Sequence, residues 1–375
     1  MSFNLRISRL HLLKGLTTVS RAISPKSPLP SLSGIKFDLT KEGLTLLASD
    51  GEITISTTIK QSIGNEDVIN VIEEGSILLA GRYITEIIRK IESERVGIEL
   101  IDSNLIRVFD NNSNFNLNGF RVEDYPNIDF NPEGVTLTIS SDDLKTAISQ
   151  TAFAASDKET RPILTGVNIK AENKKLHFTS TDSYRLATKV IELQQNVEFN
   201  VTIPAKNLTE VERLIDNESM VELHISDRKV IFNLNGTIIS SKVHNSPYPD
   251  TSRLIPSTFE SKFDTLAGVL ISAIDRASLL SIDRNNIVKL SLTPERAEIS
   301  SKSQEIGSVV ETIDSFTYEG PRLDISFTAK YAIEAIRAIG TENVTILFNG
   351  DMKPFVIKNN EDDSNIQLLL PVRTY

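Results

Sequence analysis

Hydrophobic positions recur at helical spacing in three short segments of the chain. In the first of them, Ile84, Ile87, Ile88 and Ile91 fall on one face of a helix. Each segment leads into alternating apolar and polar residues, typical of a half-buried strand, at residues 95–100, 220–225 and 344–348. Longer helices are expected at three further places, near Arg9–Ile23, Asp142–Ala155 and Asp264–Leu280. The pattern predicts an α+β fold of three parts, each with two helices packed on antiparallel sheet of about eight strands.

The three helical segments are copies of one motif. It begins at Gly81, Ala205 and Ala329, so that each copy starts 124 residues after the one before (205 − 81 and 329 − 205). In every copy a basic residue is second, Glu is sixth, Arg is ninth and Ile is eleventh. Equal spacing of a shared pattern is the signature of internal repeats. We therefore predict three homologous domains, which span residues 1–128, 129–255 and 256–375.

Four segments, in order along the chain, resemble those of a known family. They are Phe3 through Lys14, Ser180 through Ala187, Tyr248-Pro249-Asp250 with Arg253 through Pro256, and Leu369 through Arg373. As an ordered set they resemble the bacterial DNA polymerase III beta subunit, the beta sliding clamp family, over essentially the whole chain. Tyr184 stands where the family usually has histidine, and Thr374 and Tyr375 extend past the family's terminal arginine. That extended ending is similar to clamps of low-GC Gram-positive bacteria.

The resemblance implies three repeated clamp domains in each protomer and a ring of two protomers joined head to tail. Such a ring encircles duplex DNA without sequence specificity and confers processivity on DNA replication through a peptide-binding pocket. The implied partners are duplex DNA, a second copy of the chain (a homodimer), the replicative DNA polymerase, the clamp loader, other clamp-binding polymerases, ligase and mismatch-repair proteins. No catalytic site, cofactor or metal is implied.

Composition limits the alternatives. The chain has 375 residues, no cysteine and four scattered histidines, and it lacks a phosphate-binding Gly-rich loop and a nucleophile elbow, which argues against an enzyme. The formal net charge of −10 argues against tight nonspecific DNA binding by charge alone. A ring held by topology needs only weak contacts. A repeat-built scaffold without a DNA role is the alternative, since it fits the repeats and the charge equally well.

No stretch of the sequence approaches the roughly 18 apolar residues of a membrane span. The N-terminal residues also lack the basic and then apolar pattern of a signal peptide. We therefore expect a cytoplasmic, nucleoid-associated protein without a membrane partner.

Basic residues are concentrated in the predicted helices. The first helix carries Arg9, His11, Lys14 and Arg21 and no acidic residue. The short repeated helices add further basic residues beside their shared Glu, and Lys26 and the loop of residues 158–161 match positions that touch DNA in the family. Ordinary surface charge is the alternative for any one residue. The residues predicted to face DNA are Lys14, Arg21, Lys26, Arg82, Arg89, Lys158, Arg161, Lys206, Arg213, Lys330 and Arg337.

The resemblance also implies a peptide-binding groove between the second and third domains. Clients of the family carry a Gln followed by Leu and Phe-type anchors, and burying each anchor is worth about 1.5–3 kcal/mol before ordering costs. This predicts weak, exchangeable binding. A plain core role is the alternative for the apolar members. The implied lining is Leu164, Thr181, Ser183, Tyr184, Arg185, Leu186, Pro249, Arg253, Leu254, Tyr331, Met352, Leu370, Pro371, Val372 and Arg373.

The joint between protomers is expected at two apolar pairs. Phe115 and Leu117 match one side of the family's interface, and Leu279 and Leu280 match the other. Phe115 follows a polar run, residues 111–114, in which an apolar side chain is unexpected. The alternative is that Phe115 belongs to the local core of an edge strand.

Overall fold

The computed structural model describes residues 2–24, 29–216, 219–281 and 286–373. In the first predicted domain the helices are α1 (Arg9–Val19) and α2 (Gly81–Lys90). Its strands are β1 (Asn4–Ser8), β2 (Gly34–Thr40), β3 (Gly43–Ser49), β4 (Ile53–Lys60), β5 (Ser62–Ile63), β6 (Glu66–Asp67), β7 (Ile69–Glu73), β8 (Gly75–Ala80), β9 (Arg95–Asp102), β10 (Leu105–Phe109) and β11 (Asn114–Asn118).

The second and third predicted domains repeat this plan with two helices each. In the second, the helices are α3 (Ser141–Thr151) and α4 (Ala205–Leu214), and the strands are β12 (Val135–Ser140), β13 (Gly166–Glu172), β14 (Lys175–Thr181), β15 (Arg185–Glu192), β16 (Phe199–Pro204), β17 (Met220–Ile225), β18 (Lys229–Leu234) and β19 (Thr237–Lys242). In the third, the helices are α5 (Ala267–Ser278) and α6 (Ala329–Ile339), and the strands are β20 (Ser261–Leu266), β21 (Ile287–Thr293), β22 (Arg296–Ser303), β23 (Gly307–Thr312), β24 (Phe316–Glu319), β25 (Leu323–Thr328), β26 (Asn343–Phe348), β27 (Phe355–Asn359) and β28 (Asp362–Leu369).

One compact unit comprises Met1–Ser141 and Arg213–Val243. Its larger sheet has the order β12-β17-β18-β19-β4-β3-β2-β8, and a second sheet has the order β11-β10-β9-β1-β7. The central pairing of the larger sheet joins β19 to β4, so strands of the second repeat continue the sheet of the first. Helix α1 packs on β3 and β4, and α2 packs against α1.

The other compact unit comprises Asp142–Glu212 and His244–Tyr375. Its larger sheet has the order β16-β13-β14-β15-β28-β27-β26-β20-β24, and a second sheet has the order β23-β22-β21-β25. Here β15 pairs antiparallel with β28, which joins the second repeat to the third. Each compact unit therefore contains strands of two repeats, because neighbouring repeats share a sheet.

Helix α6 illustrates why the repeated motif folds as it does. Ala332, Ala335, Ile336 and Ile339 are buried at helical spacing in the core of the third repeat, together with residues of α5. The helix ends where Gly340 adopts a φ of +74°, the left-handed conformation that glycine accepts without steric cost. The predicted apolar face of this motif is confirmed in α2 as well, whose buried side chains include those of Ile84 and Ile88.

The predicted start of α5 near Asp264 is wrong, because β20 occupies Ser261–Leu266 and the helix begins at Ala267. Asp264 lies in the strand opposite Thr345, whose hydroxyl donates to the Asp264 carboxylate at 2.5 Å. Burial alternates along β20, as expected for a strand. The first repeat also exceeds the expected eight strands, in part through the two-residue strands β5 and β6.

In the described ranges, no helix combines the length and the apolar content needed to cross a membrane.

Candidate peptide-binding site and basic surfaces

The turn between β14 and β15 is fixed by its own side chains. The Asp182 carboxylate accepts the backbone N–H groups of Tyr184 and Arg185 at 2.9 and 3.0 Å. The Thr181 hydroxyl accepts the N–H of Ser183 at 3.1 Å and donates to the carbonyl of Arg185 at 2.6 Å. Ser183 adopts a φ of +79°, which only such a constrained turn sustains in a residue with a side chain. As a result Tyr184 stands out from the protein with 58% of its surface exposed.

Arg185 was predicted to lie at the edge of the groove. In the structure it is buried beneath this turn. The residue is 7% exposed. Its Nε donates to Asp182 Oδ2 at 3.1 Å, its Nη2 donates to the Phe153 carbonyl at 2.6 Å, and its Nη1 pairs with the Glu334 carboxylate. The guanidinium carbon is 4.4 Å from the centre of the Tyr331 ring. A buried arginine needs this degree of pairing, since an isolated buried charge is very costly.

The segment after β28 is held against the rest of the protein by backbone hydrogen bonds. The N–H of Leu370 donates to the carbonyl of Tyr184 at 2.9 Å, and the N–H of Val372 donates to the carbonyl of Ser326 at 2.7 Å. Leu370 is 39% exposed, whereas Val372 is half-buried. Pro371 is half-buried too, and Arg373 is exposed. The chain end therefore brings an apolar side chain next to the turn that carries Tyr184.

The loop that begins at Tyr248 presents a second apolar side chain. Leu254 is 51% exposed at the end of a turn, where its N–H donates to the carbonyl of Thr251 at 3.0 Å. Pro249 and Arg253 in the same loop are exposed as well. Burial raises the pKa of Tyr248, and the Asp182 carboxylate adds to the effect.

Three of the apolar or hydroxyl residues in the predicted lining of the groove are buried. Leu186 is 2% exposed and packs with Val356 and Leu368 on one face of the larger sheet. Leu164 is also 2% exposed, and Thr181 is 7% exposed. These side chains have almost no free surface to offer, so they would support a groove from below.

Two further predicted positions lie on α6 and on the turn after β26. Tyr331 is half-buried against the core of the third repeat, and burial raises its pKa, with the Asp182 carboxylate adding to the effect. Met352 is 46% exposed and lies three residues before Phe355, which pairs with Leu369 at the end of β28. The large exposed apolar side chains of the predicted lining are therefore Tyr184, Leu254, Met352 and Leu370, in addition to the exposed Pro249.

The residues predicted to face DNA are exposed wherever the structure describes them. They are Lys14, Arg21, Arg82, Arg89, Lys158, Arg161, Lys206, Arg213, Lys330 and Arg337. Lys26 lies outside the described residues. Some of these charges have partners: Arg89 pairs with Glu86 one turn earlier, and Arg161 donates to the Ser183 hydroxyl at 3.4 Å. Surface pairs of this kind are weak, so these cations remain available to other partners.

Among the described strands, the first predicted interface pair lies on one at the edge of its sheet. Strand β11 ends its sheet, with Phe115 opposite Val108 and Leu117 opposite Ile106. Val108 and Ile106 are buried, and residues opposite each other in an antiparallel pair project to the same face. Phe115, 36% exposed, and the half-buried Leu117 therefore extend the core face of this sheet to its open edge.

The second predicted pair follows α5, where Leu279 is 75% exposed and Leu280 is half-buried. Sequence reasoning missed the neighbouring strand β23, which also ends its sheet as far as the chain is described and is in contact with α5. Ile306 and Val310 are 60% and 59% exposed there. The sequence signal for this edge was Ile306 together with the adjacent pair Val309-Val310, set among mostly polar residues.

Comparisons with known proteins cover the whole chain. The family models described as the DNA polymerase III beta subunit match residues 3–129 (N-terminal domain), 138–250 (central domain) and 252–373 (C-terminal domain). The beta sliding clamp of Bacillus subtilis is 38% identical over 380 residues, with all of both chains covered. That of Staphylococcus aureus is 39% identical over 372 residues, which covers 98% of this chain and 99% of the relative.

Solved structures agree. The crystal structure of the DNA polymerase sliding clamp from Bacillus subtilis matches with a TM-score of 0.96 at 38% identity, and the DNA polymerase III beta chain from Streptococcus pneumoniae matches with a TM-score of 0.94 at 34% identity. Both matches cover all of both chains. The predicted family and the fold of three repeated clamp domains are confirmed, and the comparisons favour a sliding clamp over the alternative of a repeat scaffold without a DNA role. The chain belongs to the beta sliding clamp family, the beta subunits of bacterial DNA polymerase III.

Proposed function

We propose that this protein is a DNA sliding clamp, a head-to-tail homodimeric ring that encircles duplex DNA and tethers the replicative polymerase and other replication and repair proteins. The observation that carries the proposal is the full-length relationship to named sliding clamps at 38–39% identity. The protein would act in the cytoplasm, at the nucleoid, and would need no catalytic site of its own.

Ring closure is supported by two of the strands that end a sheet in the described part of the chain, β11 and β23. Within each compact unit, neighbouring repeats are already joined by antiparallel strand pairing, β19 with β4 and β15 with β28. Pairing of β11 of one protomer with β23 of its partner would join the third repeat to the first in the same way. Exposed edges that carry apolar side chains such as Phe115 and Val310 favour such pairing, because an uncovered strand edge presents backbone groups that pair readily with another chain. Head-to-tail contacts of this kind form a closed ring when their rotation closes.

The charge distribution supports retention by topology rather than by affinity. The formal net charge of −10 opposes tight binding to DNA, yet the described basic residues that are proposed to face DNA are exposed on helices and loops. Their contacts with phosphates would be weak and screened by salt, with a Debye length of about 8 Å at physiological ionic strength. Weak contacts permit sliding, whereas the closed ring prevents escape.

The exposed apolar side chains of the second compact unit support peptide capture. Tyr184, Leu254, Met352 and Leu370 keep between 39% and 58% of their surface in water. Exposed apolar side chains with a few polar residues around them are typical of sites that bind short peptides. The expected ligand is a client segment with a Gln followed by Leu and Phe-type anchors.

Light scattering tests the ring directly. The proposal predicts a species of about twice 41.6 kDa, which loses mass when the β11 edge is made charged. A monomer at micromolar concentration that also fails to bind a client-type peptide would contradict it.

A further inference from the structure

Glu334, on α6, contacts two cations that belong to different proposed sites. Its Oε2 pairs with Nη1 of Arg185, beneath the peptide pocket. Its Oε1 lies 3.9 Å from Nζ of Lys330, one of the residues proposed to face DNA. The Glu334 side chain is 29% exposed, between the 8% of Arg185 and the 69% of Lys330. One carboxylate thus contacts both the buried Arg185 and the exposed Lys330.

Through Arg185, Glu334 acts on the wall of the pocket. A guanidinium presents its donors in a fixed plane, so two carboxylates bound to different nitrogens define its orientation. Asp182 holds Nε and Glu334 holds Nη1. In that orientation the guanidinium carbon lies 4.4 Å from the Tyr331 ring centre and 5.2 Å from that of Phe153. Without Glu334 the plane of Arg185 would be held by Asp182 and the Phe153 carbonyl alone, and Tyr331 would lose a fixed neighbour.

The repeated motif offers an internal comparison. Glu86 occupies the same sixth position of the motif on α2, but it pairs with Arg89 one turn away on its own helix. That pair is about half exposed at both ends, 51% and 48%. The link from Glu334 to a buried arginine in another repeat is therefore not a general property of the motif.

We propose that Glu334 is a positioning residue shared by the two sites: it fixes Arg185 against Tyr331 and at the same time weakens the attraction of Lys330 for phosphate. This inference rests on the proposed sliding-clamp function. It predicts that neutralising Glu334 moves the two binding activities in opposite directions. Peptide affinity falls because the pocket wall loses its support, and DNA association rises because Lys330 loses a competing carboxylate.

The test uses the full-length protein with the substitution Glu334→Gln. A fluorescent peptide with Gln, Leu and Phe anchors is titrated by anisotropy, and a duplex oligonucleotide is titrated at several salt concentrations. We expect peptide affinity to fall by roughly fivefold or more, as for loss of a charged hydrogen bond. We expect duplex affinity to rise and its salt dependence to steepen by up to about 0.9 in log–log slope, the contribution of one further phosphate contact.

Two further variants separate position from charge. Glu86→Gln, the same substitution at the matched repeat position, should leave peptide affinity unchanged. Glu334→Asp keeps the charge but shortens the reach to Arg185, so it should weaken the peptide without strengthening duplex binding.

Three results have distinct meanings. If Glu334→Gln and Glu86→Gln bind the peptide equally well, the positioning role is refuted. A fall in both peptide and duplex affinity, with a lower melting temperature, would refute it in favour of simple destabilisation. If the unsubstituted protein binds no client-type peptide, the proposed function fails instead.

Discussion

The exposed face of Leu254 offers the sharpest test of the peptide pocket, through the substitution Leu254→Ala. Full burial of a leucine side chain is worth about 1.5–3 kcal/mol. Because Leu254 is 51% exposed, a bound peptide can cover about half of that value, roughly 0.8–1.5 kcal/mol. At about 1.4 kcal/mol per tenfold change, affinity for a client-type peptide should fall by about 4- to 12-fold. The melting temperature should change little, since the exposed part of the side chain contributes little to folding.

The assay is a fluorescence-anisotropy titration with a labelled peptide that carries Gln, Leu and Phe anchors. Ile72→Ala is the matched control, because Ile72 is 52% exposed on β7, away from the proposed pocket residues in sequence and in the other compact unit. Equal affinities of the two variants for the peptide would refute the assignment of Leu254 to the pocket. A large loss of thermal stability in Leu254→Ala would show instead that the loop depends on this side chain.

Three further outcomes are expected. Phe115→Asp places a charge on the β11 edge and should raise the dimer dissociation constant by roughly tenfold or more in light scattering, whereas Ile72→Asp should not. Truncation after Leu369 removes the backbone bonds from Leu370 and Val372 and should abolish peptide binding while the mass stays that of a dimer. Hydrogen bonding from Ser291, aided by Lys289, holds the pKa of Asp324 below its ordinary 3.8. The ionised carboxylate therefore stabilises the folded protein above pH 3.8, and this stabilisation is lost as the pH falls through the lowered pKa. The melting temperature of Asp324→Asn should therefore lie below that of the unsubstituted protein at pH 7, and the gap should close in acid.

The repeat architecture could be predicted from the sequence because it rests on local patterns. The helical spacing of apolar residues and the recurrence of Glu and Arg at a fixed interval mark α2, α4 and α6 without knowledge of their neighbours. The pairings of β19 with β4 and β15 with β28 could not be predicted, because strand pairing between distant segments leaves no trace in a local alternation of polar and apolar residues. The division into two compact units depends on those pairings.

The sequence suggested which residues belong to the candidate site, but it could not predict which of them are exposed. Leu186 and Leu254 are the same amino acid and lie in equally suggestive segments, yet one is 2% and the other 51% exposed. Arg185 was predicted at the edge of the groove, and its pairing with Asp182, Glu334 and the Phe153 carbonyl explains its burial. The importance of Glu334 was hidden for the same reason, since its partner lies 149 residues away in the sequence.

Retention on circular and linear DNA distinguishes a closed ring from a protein that holds DNA by affinity alone. The protein is loaded onto nicked circular duplex by a clamp loader, and the retained fraction is measured before and after a single cut that linearises the DNA. A closed ring should be retained stably on the circle at a salt concentration that abolishes free binding, and should be released through the ends after the cut. Equal retention on both forms, or none on either, would contradict a ring held by topology.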